Sequence, residues 1–436
     1  MEQYLSTIIT NEEIENIKPG AFNVLKAPCG SGKTTFMFDD KILNFSRAKK
    51  HVLYLIQNKA TRDFIAHNHQ DKARVFSDNN YNGWFSHRRK SLWTDEEDED
   101  YVHVMCYQTF AALLRNEGTD WLEDIDLIVW DEFDDFRPYY EKEVNNLKKV
   151  LPNFSREKLI ALLQEGKTNS VVNFIYQMKT TVLEPARIRL IAMSATPEFA
   201  AAYFSEYLNY ILTGKLENYY DAQQTLYIDG VIEAIKNGII KPEPNKRFWC
   251  YTKYINEALR VEAMAKSATF NVISLWSKEN PDHRHEYTEE KAKVSKIIQD
   301  EHLVPRPYNF IITTGVLGRG VDIFDTSIQD WICNSKDYEE MVQFYRARFN
   351  AERKYLLDGT QGWVEFVQNG FAAEYYNWHT REEFNKLLEE HPIFCKDDKC
   401  IQLKTASAVE KEYPEIFEKR RYGTKQLTQY RIKSLI

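Results

Sequence analysis

Short hydrophobic runs alternate with amphipathic stretches along most of the chain. Each run has five or six mostly apolar residues, a length typical of a strand that is buried on both faces, and the stretches between them have helical spacing. In the first half, the predicted strands are residues 21–26, 51–56, 101–106, 125–130 and 188–193. Because strands alternate with helices, the pattern predicts an α/β fold with a parallel sheet and helices on both faces.

The alternation begins again after a proline-containing stretch at residues 241–245. This second set has its own predicted strands and helices, so a second sheet is expected. The strands are residues 247–251, 270–275 and 308–312, and the helices are residues 255–266 and 289–300.

Two further stretches have a helical pattern. Residues 136–187 resemble a helical insertion between two strands of the first set, and residues 198–214 also have apolar positions at helical spacing. A chain of 436 residues is too long for one ordinary core. We therefore predict two domains, residues 1–212 and 213–356, and a mainly helical C-terminal extension, residues 357–436.

Composition narrows the class of protein. No stretch is apolar enough for a membrane helix, so we expect no membrane partner. The first six residues lack a signal-peptide pattern, and the six cysteines are scattered in the way typical of reduced thiols. We therefore expect a cytoplasmic protein. Cys395 and Cys400 have no second pair at zinc-finger spacing and are interpreted as structural. The net charge of −8 argues against binding nucleic acid by bulk charge, so any such contacts must be concentrated locally.

A nucleotide site is predicted between the first strand and the first helix. Its residues are Ala27, Pro28, Cys29, Gly30, Ser31, Gly32, Lys33, Thr34 and Thr35. Glycines in such a turn let backbone N–H groups converge on a phosphate, and the following helix presents its positive end to the same point. Lys33 can then reach the β- and γ-phosphates, and the Thr34 hydroxyl can bind Mg²⁺. Ala27 stands where the strictest form of the motif has glycine.

A second segment with residues suited to binding and hydrolysing a nucleotide is the strand that ends at Asp131 and Glu132. Asp131 can hold a metal ion, and Glu132 can orient and polarise an attacking water. Two carboxylates at the end of a strand are weak evidence alone. The evidence is stronger here because Asp131 and Glu132 follow the predicted phosphate-binding loop (P-loop) of residues 27–35 within the same alternation of strands and helices.

Three basic segments leave alternatives open. Residues 87–90 are flanked by tryptophan and phenylalanine, which suits a single nucleic-acid strand, but a solvated loop is favoured because an acidic run follows. Arg346 and Arg348 could stabilise charge on a γ-phosphate or lie on a solvated helix face. Residues 411–433 could contact nucleic acid, dock a protein partner, or form a solvated terminal helix.

The order of these segments over residues 20–350 resembles the superfamily 2 helicases, which are built from two RecA-like P-loop NTPase domains. The segments similar to motifs I, Ia, II, III, IV, V and VI are residues 27–34, 55–60, 131–134, 194–196, 248–252, 314–322 and 343–348.

The resemblance implies ATP and Mg²⁺ as cofactors and a role for each matching residue. Binding and hydrolysis of Mg-ATP would fall to Lys33, Thr34, Asp131 and Glu132, with Thr34 and Asp131 at the metal. Residues that approach the nucleotide or its γ-phosphate from the second domain would be Gly320, Asp322, Gln343, Arg346 and Arg348. Nucleic acid would contact Asn58, Lys59, Tyr107, Gln108, Thr109 and Thr314, and hydrolysis would be coupled to domain movement by Ser194 and Thr196.

Three departures from the family pattern bear on the substrate. Residues 131–134 read Asp-Glu-Phe-Asp, which matches neither the DEAD-box nor the DEAH-box subgroup, and no adenine-recognising segment precedes the P-loop. The segment around Arg346 and Arg348 lacks the usual glycine. Its Arg-x-Arg form is similar to that of some phage and origin-binding helicase-like proteins, which favours DNA over RNA and leaves open which arginine is the finger.

The expected function is an ATP-dependent helicase or translocase that hydrolyses Mg-ATP in the cleft between two RecA-like domains. Its track would be nucleic acid, with DNA favoured, either single-stranded or duplex with a single-stranded tract. The alternatives are an RNA helicase, or an ATP-switched subunit that binds nucleic acid or a protein partner without unwinding. A small-molecule kinase would leave Ser194, Gly320 and Gln343 without a role.

Overall fold

The chain forms two compact units, residues 1–217 and residues 218–434. The computed structural model describes residues 5–27, 32–39, 42–43, 51–56, 59–75, 102–116, 119–165, 170–194, 197–212, 224–276, 287–314, 323, 325–336, 340–341, 352–360, 375, 377–390, 394–396, 401–413, 416–422 and 427–432.

The first unit is built on a parallel sheet of seven described strands in the order β3-β4-β2-β5-β6-β1-β7. The strands are β1 (Phe22–Lys26), β2 (His51–Ile56), β3 (Ala73–Val75), β4 (Val102–Cys106), β5 (Ile125–Asp131), β6 (Arg189–Ser194) and β7 (Leu208–Leu212). The strands β4, β5 and β6 are buried almost throughout, because helices cover both faces of the sheet. The five strands predicted from the hydrophobic runs are all present.

Helices pack on both sides of this sheet. They are α1 (Leu5–Ile8), α2 (Asn11–Glu15), α3 (Lys33–Met37), α4 (Lys59–Asn68), α5 (Tyr107–Asn116), α6 (Arg137–Val150), α7 (Arg156–Glu165), α8 (Val171–Gln177) and α9 (Pro197–Ala201). A short π-helical segment, Met178–Leu183, continues α8. Helices α6 to α8 lie between β5 and β6 in the chain, in the region expected to be an insertion.

The helix predicted at residues 198–214 is wrong in its second half. Residues Leu208–Leu212 form strand β7, which pairs in parallel with β1 at the edge of the sheet. An edge strand is half-exposed along its length and so lacks a clear period of two, and its apolar residues then fit helical spacing equally well. The pairing is reinforced by Asn209, whose side-chain amide donates to Asn23 Oδ1 at 2.6 Å.

Asn23 is the polar centre of β1 and is fully buried. Its side-chain nitrogen donates to the carbonyl oxygens of Lys18, Ala21 and Leu190 at 2.9, 3.1 and 2.9 Å. Its oxygen accepts from the Lys18 N–H at 3.1 Å. A buried amide that makes so many bonds ties the start of β1 to the segment before it and to β6.

An aromatic core lies at the end of the sheet next to the insertion, and a partly buried ion pair links two helices of the insertion. Rings of β1, β5 and the turn after β5 pack together, with Phe22 5.2 Å from Phe133 and edge-on to it. Glu141 of α6 accepts two hydrogen bonds from Arg156 of α7 at 2.8 and 2.9 Å and a third from the Tyr203 hydroxyl. The insertion therefore packs against both the end of β5 and the segment after β6.

The second unit contains a parallel sheet of six described strands in the order β10-β11-β9-β12-β13-β8. The strands are β8 (Gln224–Ile228), β9 (Arg247–Thr252), β10 (Val272–Leu275), β11 (Phe310–Thr313), β12 (Ile328–Asn334) and β13 (Arg353–Leu357), and the helices that accompany them are α10 (Val231–Lys236), α11 (Ile255–Ser267) and α12 (Glu289–Glu301). Together the two sheets match a tandem pair of RecA-like domains, as predicted.

Two ion pairs stabilise the second sheet. Arg353 of β13 donates to both carboxylate oxygens of the fully buried Asp330 on β12, at 2.6 and 2.7 Å. Arg247 at the start of β9 donates to Asp325 Oδ2 at 2.7 Å. Burial works against the charge on Asp325, but hydrogen bonds from Ser327 and the Val304 N–H, together with Arg247, lower the pKa of Asp325 overall.

The C-terminal extension contains both helices and strands, so the prediction of a mainly helical extension is wrong for its described residues. Two helices, α13 (Arg381–Glu390) and α14 (Ala406–Glu412), accompany the strands β14 (His379–Thr380), β15 (Cys395–Lys396), β16 (Ile401–Gln402), β17 (Phe417–Tyr422) and β18 (Leu427–Ile432). Strands β17 and β18 occupy the region where a solvated terminal helix was one alternative. Buried residues of these strands, Phe417, Tyr430 and Ile432, face the core, and exposed residues alternate with them. The many basic residues make this alternation of buried and exposed positions hard to see in the sequence.

None of the helices in the described ranges combines the length and the apolar character needed to cross a bilayer.

Candidate nucleotide site

The predicted site residues of the first unit lie where three neighbouring strands, β5, β6 and β1, end, at the carboxyl end of the first sheet. Lys26 of β1 lies beside Ser194 of β6, and Asp131 of β5 lies beside Met193. The Ala27 N–H donates to the Ser194 carbonyl oxygen at 3.1 Å, which extends the pairing of β1 and β6 by one residue. In a parallel α/β sheet this is the edge where ligands bind.

Lys33 opens helix α3 with a buried side chain that points back to the end of β1. Its Nζ donates to the Ala27 carbonyl oxygen at 3.0 Å, and only 7% of the residue is exposed. The preceding Gly32 has φ of +76°, a conformation that glycine adopts without strain, and this lets the chain turn directly into the helix. Thr34 is half-buried and Thr35 is exposed. Pro28, Cys29, Gly30 and Ser31 lie outside the described residues.

Asp131 is a buried carboxylate with both oxygens held. The Tyr54 hydroxyl of β2 donates to Oδ2 at 2.6 Å, and the Glu132 N–H donates to Oδ1 at 3.0 Å. Hydrogen bonds to a carboxylate at these lengths fix its orientation. Asp131 is thus positioned at the edge of the sheet before any ligand binds.

Glu132 has a left-handed backbone, with φ of +48° and ψ of +47°. This conformation is unfavourable for a residue with a side chain, so the surrounding structure must hold it. The next residue, Phe133, is fully buried between Phe22 and Trp130, which gives that support. Glu132 remains half-exposed, whereas Asp131 before it is buried.

Tyr54 is a site residue that the sequence analysis missed. Its ring stacks on Phe38, at 5.7 Å between centroids, and Phe38 stacks in turn on His69 at 4.1 Å. Burial lowers the pKa of His69, which favours the neutral ring at this position. The one available signal was a tyrosine in the middle of an otherwise aliphatic strand, since a buried hydroxyl needs a hydrogen-bond partner.

A buried ammonium and a buried carboxylate at the same sheet edge suit a nucleoside triphosphate with Mg²⁺. Lys33 would supply a cation for phosphate oxygens, and Asp131 would supply an oxygen ligand of the kind that Mg²⁺ prefers. Among the described residues no group of three or more His, Cys, Asp or Glu side chains could hold a metal by itself. Mg²⁺ does not require one, because it is commonly held by one or two carboxylates, water and the phosphates of the ligand.

The predicted nucleic-acid and coupling residues of the first unit differ in exposure. Gln108 at the start of α5 is exposed, whereas Tyr107 and Thr109 beside it are buried, and Tyr107 stacks on Phe174 of the insertion at 5.6 Å. Burial raises the pKa of Tyr107, so it keeps its proton. Ser194 is fully buried at the end of β6. Lys59 begins α4, and Asn58 and Thr196 lie outside the described residues.

In the second unit the described site residues are fewer. Thr314 directly follows β11, is buried, and donates its N–H to the Leu275 carbonyl oxygen at 3.1 Å. The remaining candidates lie outside the described residues: Gly320, Asp322, Gln343, Arg346 and Arg348.

Glu340, three residues before Gln343, links two strand ends of the second sheet. It is buried, its Oε1 lies 3.0 Å from Lys253 Nζ after β9, and its Oε2 accepts from the Ser335 hydroxyl after β12 at 2.6 Å. These bonds hold Glu340 against the residues that follow β9 and β12. The sequence analysis did not identify Glu340, because its charged partner Lys253 is distant in the chain.

The chain has recognisable relatives at the level of family. Residues 3–163, which contain Lys33 and Asp131, match the family model described as type III restriction enzyme, res subunit. This match spans the segments similar to motifs I, Ia and II and agrees there with the resemblance to superfamily 2 helicases. A search of curated proteins gave no match.

Several solved helicase structures are similar to this chain at low identity. The Lhr helicase of Mycobacterium smegmatis, bound to ssDNA and AMP-PNP, is 12% identical with a TM-score of 0.49, and the match covers 98% of this chain and 58% of that one. Dbp5 of S. cerevisiae, bound to RNA and ADP BeF3, is 13% identical with a TM-score of 0.47 and coverages of 89% and 99%. Mss116p, bound to ssRNA and AMP-PNP, is 11% identical with a TM-score of 0.47 and coverages of 90% and 82%. The chain thus spans less than two thirds of the Lhr chain.

Proposed function

We propose that this superfamily 2 helicase-like protein hydrolyses ATP with Mg²⁺ and uses the energy to move along nucleic acid. The observation that supports the proposal most directly is that Lys33, after β1, and Asp131, at the end of β5, lie at the carboxyl ends of the two strands that flank β6. Each is buried and each is held by a hydrogen bond. A buried amine and a buried carboxylate are costly to keep without a function, because both lose hydration.

Each residue has a distinct role in the proposed reaction. Lys33 binds the phosphates and Thr34 and Asp131 hold Mg²⁺, which when bound neutralises charge on the phosphate chain. Glu132 orients the attacking water and accepts a proton from it. Arg346 and Arg348 are proposed to supply the positive charge at the γ-phosphate, and Gln343 is proposed to contact the same phosphate.

The proposed track is nucleic acid, held mainly through its phosphates, with DNA favoured by the Arg-x-Arg spacing of Arg346 and Arg348. In the first unit the exposed Gln108 is best placed to contact a strand, and the buried Tyr107 and Thr109 are proposed to position it. Contacts of this kind give weak sequence preference, because phosphates carry no sequence information.

Two variants test the hydrolysis step separately from binding. Lys33→Ala removes the phosphate contact, so both nucleotide binding and hydrolysis should be lost. Glu132→Gln keeps the size and hydrogen bonding of the side chain but removes the base, so nucleotide should still bind while hydrolysis falls by about 100-fold or more. Lys148→Ala on the insertion is the control, since Lys148 likewise donates to a main-chain oxygen, that of Phe154. Hydrolysis at the normal rate in Lys33→Ala or Glu132→Gln would reject the proposal.

A second candidate is an ATP-dependent switch that captures a partner without unwinding. The net charge of −8 favours it, because a protein that travels along a polyanion usually has more positive charge. A strand-displacement assay separates the two. Displacement of a labelled strand that requires ATP and is absent in Glu132→Gln supports the motor, whereas ATP-dependent binding with no displacement supports the switch.

A further inference from the structure

The antiparallel sheet β14-β18-β17 near the C-terminus has two faces of different chemistry. One face packs on helix α13, where Phe384 lies edge-on to Phe417 at 5.4 Å and contacts Tyr430 at 6.4 Å between centroids. Together with α13, this face of the sheet forms a small apolar core. Because side chains alternate along a strand, the residues between these point to the opposite face.

The opposite face combines two arginines with one tryptophan. Arg420 of β17 and Arg431 of β18 both lie over the ring of Trp378, with their guanidinium carbons 4.2 and 4.5 Å from its centroid. Arg431 also donates to Glu418 at 2.6 Å, while Arg420 donates to the neutral Gln429 side chain at 3.1 Å. A guanidinium group that lies over an indole uses its face for that contact and its edge for hydrogen bonds, so the two kinds of contact are compatible.

The local charge of this region is opposite to that of the whole chain. Residues 411–433 contain seven Lys and Arg against three Glu, although the chain carries a net charge of −8. Glu418 offsets part of the positive charge through its ion pair with Arg431, and a bound phosphate would offset more of it. The pattern is therefore suited to a ligand that offers both negative charge and flat rings.

We propose that the face formed by Trp378, Arg420, Arg431 and Gln429 binds single-stranded nucleic acid. Its phosphates would contact the arginines and its bases would stack on the guanidinium and indole planes. This inference rests on the proposed function, since it adds a second contact for the same track. An acidic protein segment would satisfy the charge but would leave the stacking planes without a ligand, so nucleic acid is favoured.

The test measures binding of the full chain to a fluorescent single-stranded DNA, and to the RNA of the same sequence, over a range of salt concentrations. The variant Arg420→Gln/Arg431→Gln should bind about tenfold more weakly. The slope of log affinity against log salt should fall by about 1.4, the loss of two phosphate contacts. The control is Lys236→Gln/Lys386→Gln, which also removes two exposed cations, each paired with a glutamate, and should bind as the unmodified chain does.

A rescue variant separates loss of contact from loss of structure. Arg420→Lys/Arg431→Lys keeps both charges, so it should recover the salt dependence while its affinity stays below that of the unmodified chain. Normal affinity and slope in the glutamine pair, or failure of the lysine pair to recover the slope, would overturn the inference.

The same experiment distinguishes this inference from the proposed function. If the glutamine pair binds normally while ATP hydrolysis still responds to single-stranded polymer, the C-terminal face serves another ligand, such as an acidic protein, and the motor proposal stands. If the unmodified chain binds neither DNA nor RNA at any salt concentration, both proposals fail.

Discussion

The hydrogen bond from Tyr54 to Asp131 offers a sharp test of how the metal-binding carboxylate is positioned. Tyr54→Phe removes one hydroxyl and keeps the ring, so the stack on Phe38 should survive. A hydrogen bond to a charged acceptor contributes about 1.5–3 kcal/mol, and loss of such a supporting partner typically costs about 10- to 100-fold in metal affinity or activity. We therefore expect the Mg²⁺ concentration for half-maximal hydrolysis to rise by about tenfold or more.

The assay is ATP hydrolysis as a function of Mg²⁺ concentration at fixed ionic strength, with thermal unfolding recorded for each variant. Tyr355→Phe is the control, because Tyr355 is also buried on a parallel strand but belongs to the second sheet. Its Mg²⁺ dependence should match that of the unmodified chain. A Tyr54→Phe protein that folds normally and shows an unchanged Mg²⁺ midpoint would refute the positioning role.

Three further predictions concern stability and are measured by denaturant unfolding. Glu141→Ala should destabilise the first unit by about 2–4 kcal/mol, because it leaves the Arg156 guanidinium without its two bonds, and a change under 0.5 kcal/mol would contradict this. Asn23→Ala should lower the free energy of unfolding by about 2–3 kcal/mol, because buried backbone groups lose their hydrogen-bond partner. An unchanged free energy of unfolding would contradict this and would show that water replaces the lost bonds. The lowered pKa of Asp325 means that its contribution is present above about pH 4 and is lost as pH falls through the folded-state value. The stability difference between Asp325→Asn and the unmodified chain should therefore shrink on acidification, and a constant difference would contradict the assignment.

Much of the fold could be predicted because a parallel sheet buried on both faces leaves continuous hydrophobic runs in the sequence. The strands that contain Val52 and Ile191 have such runs and were found from them. Strand β7 has no such signal, since it lies half-exposed at the edge of the sheet, and its apolar residues gave a helical interpretation. Strands β17 and β18 were missed for a related reason, because basic side chains cover the outward positions of a two-faced sheet.

The candidate site likewise contains some residues that could be predicted from the sequence and others that could not. Lys33 and Asp131 follow local patterns, a glycine turn before a helix and a strand that ends in carboxylates, so their types and spacing could be recognised in one dimension. The contributions of Tyr54 and Glu340 depend on which strands are neighbours, and no local pattern contains that information. Tyr54 lies 77 residues from the carboxylate that it holds.

The central claim is that nucleotide chemistry at Lys33 and Asp131 is linked to nucleic acid. The most direct measurement is steady-state ATP hydrolysis by the unmodified chain without polymer and then with single-stranded DNA, duplex DNA or single-stranded RNA, all at one low salt concentration, since phosphate contacts weaken steeply with salt. The account predicts that at least one polymer, with single-stranded DNA favoured, raises the Mg²⁺-dependent rate severalfold. A rate that is zero under every condition, or the same with every polymer as without, would contradict it.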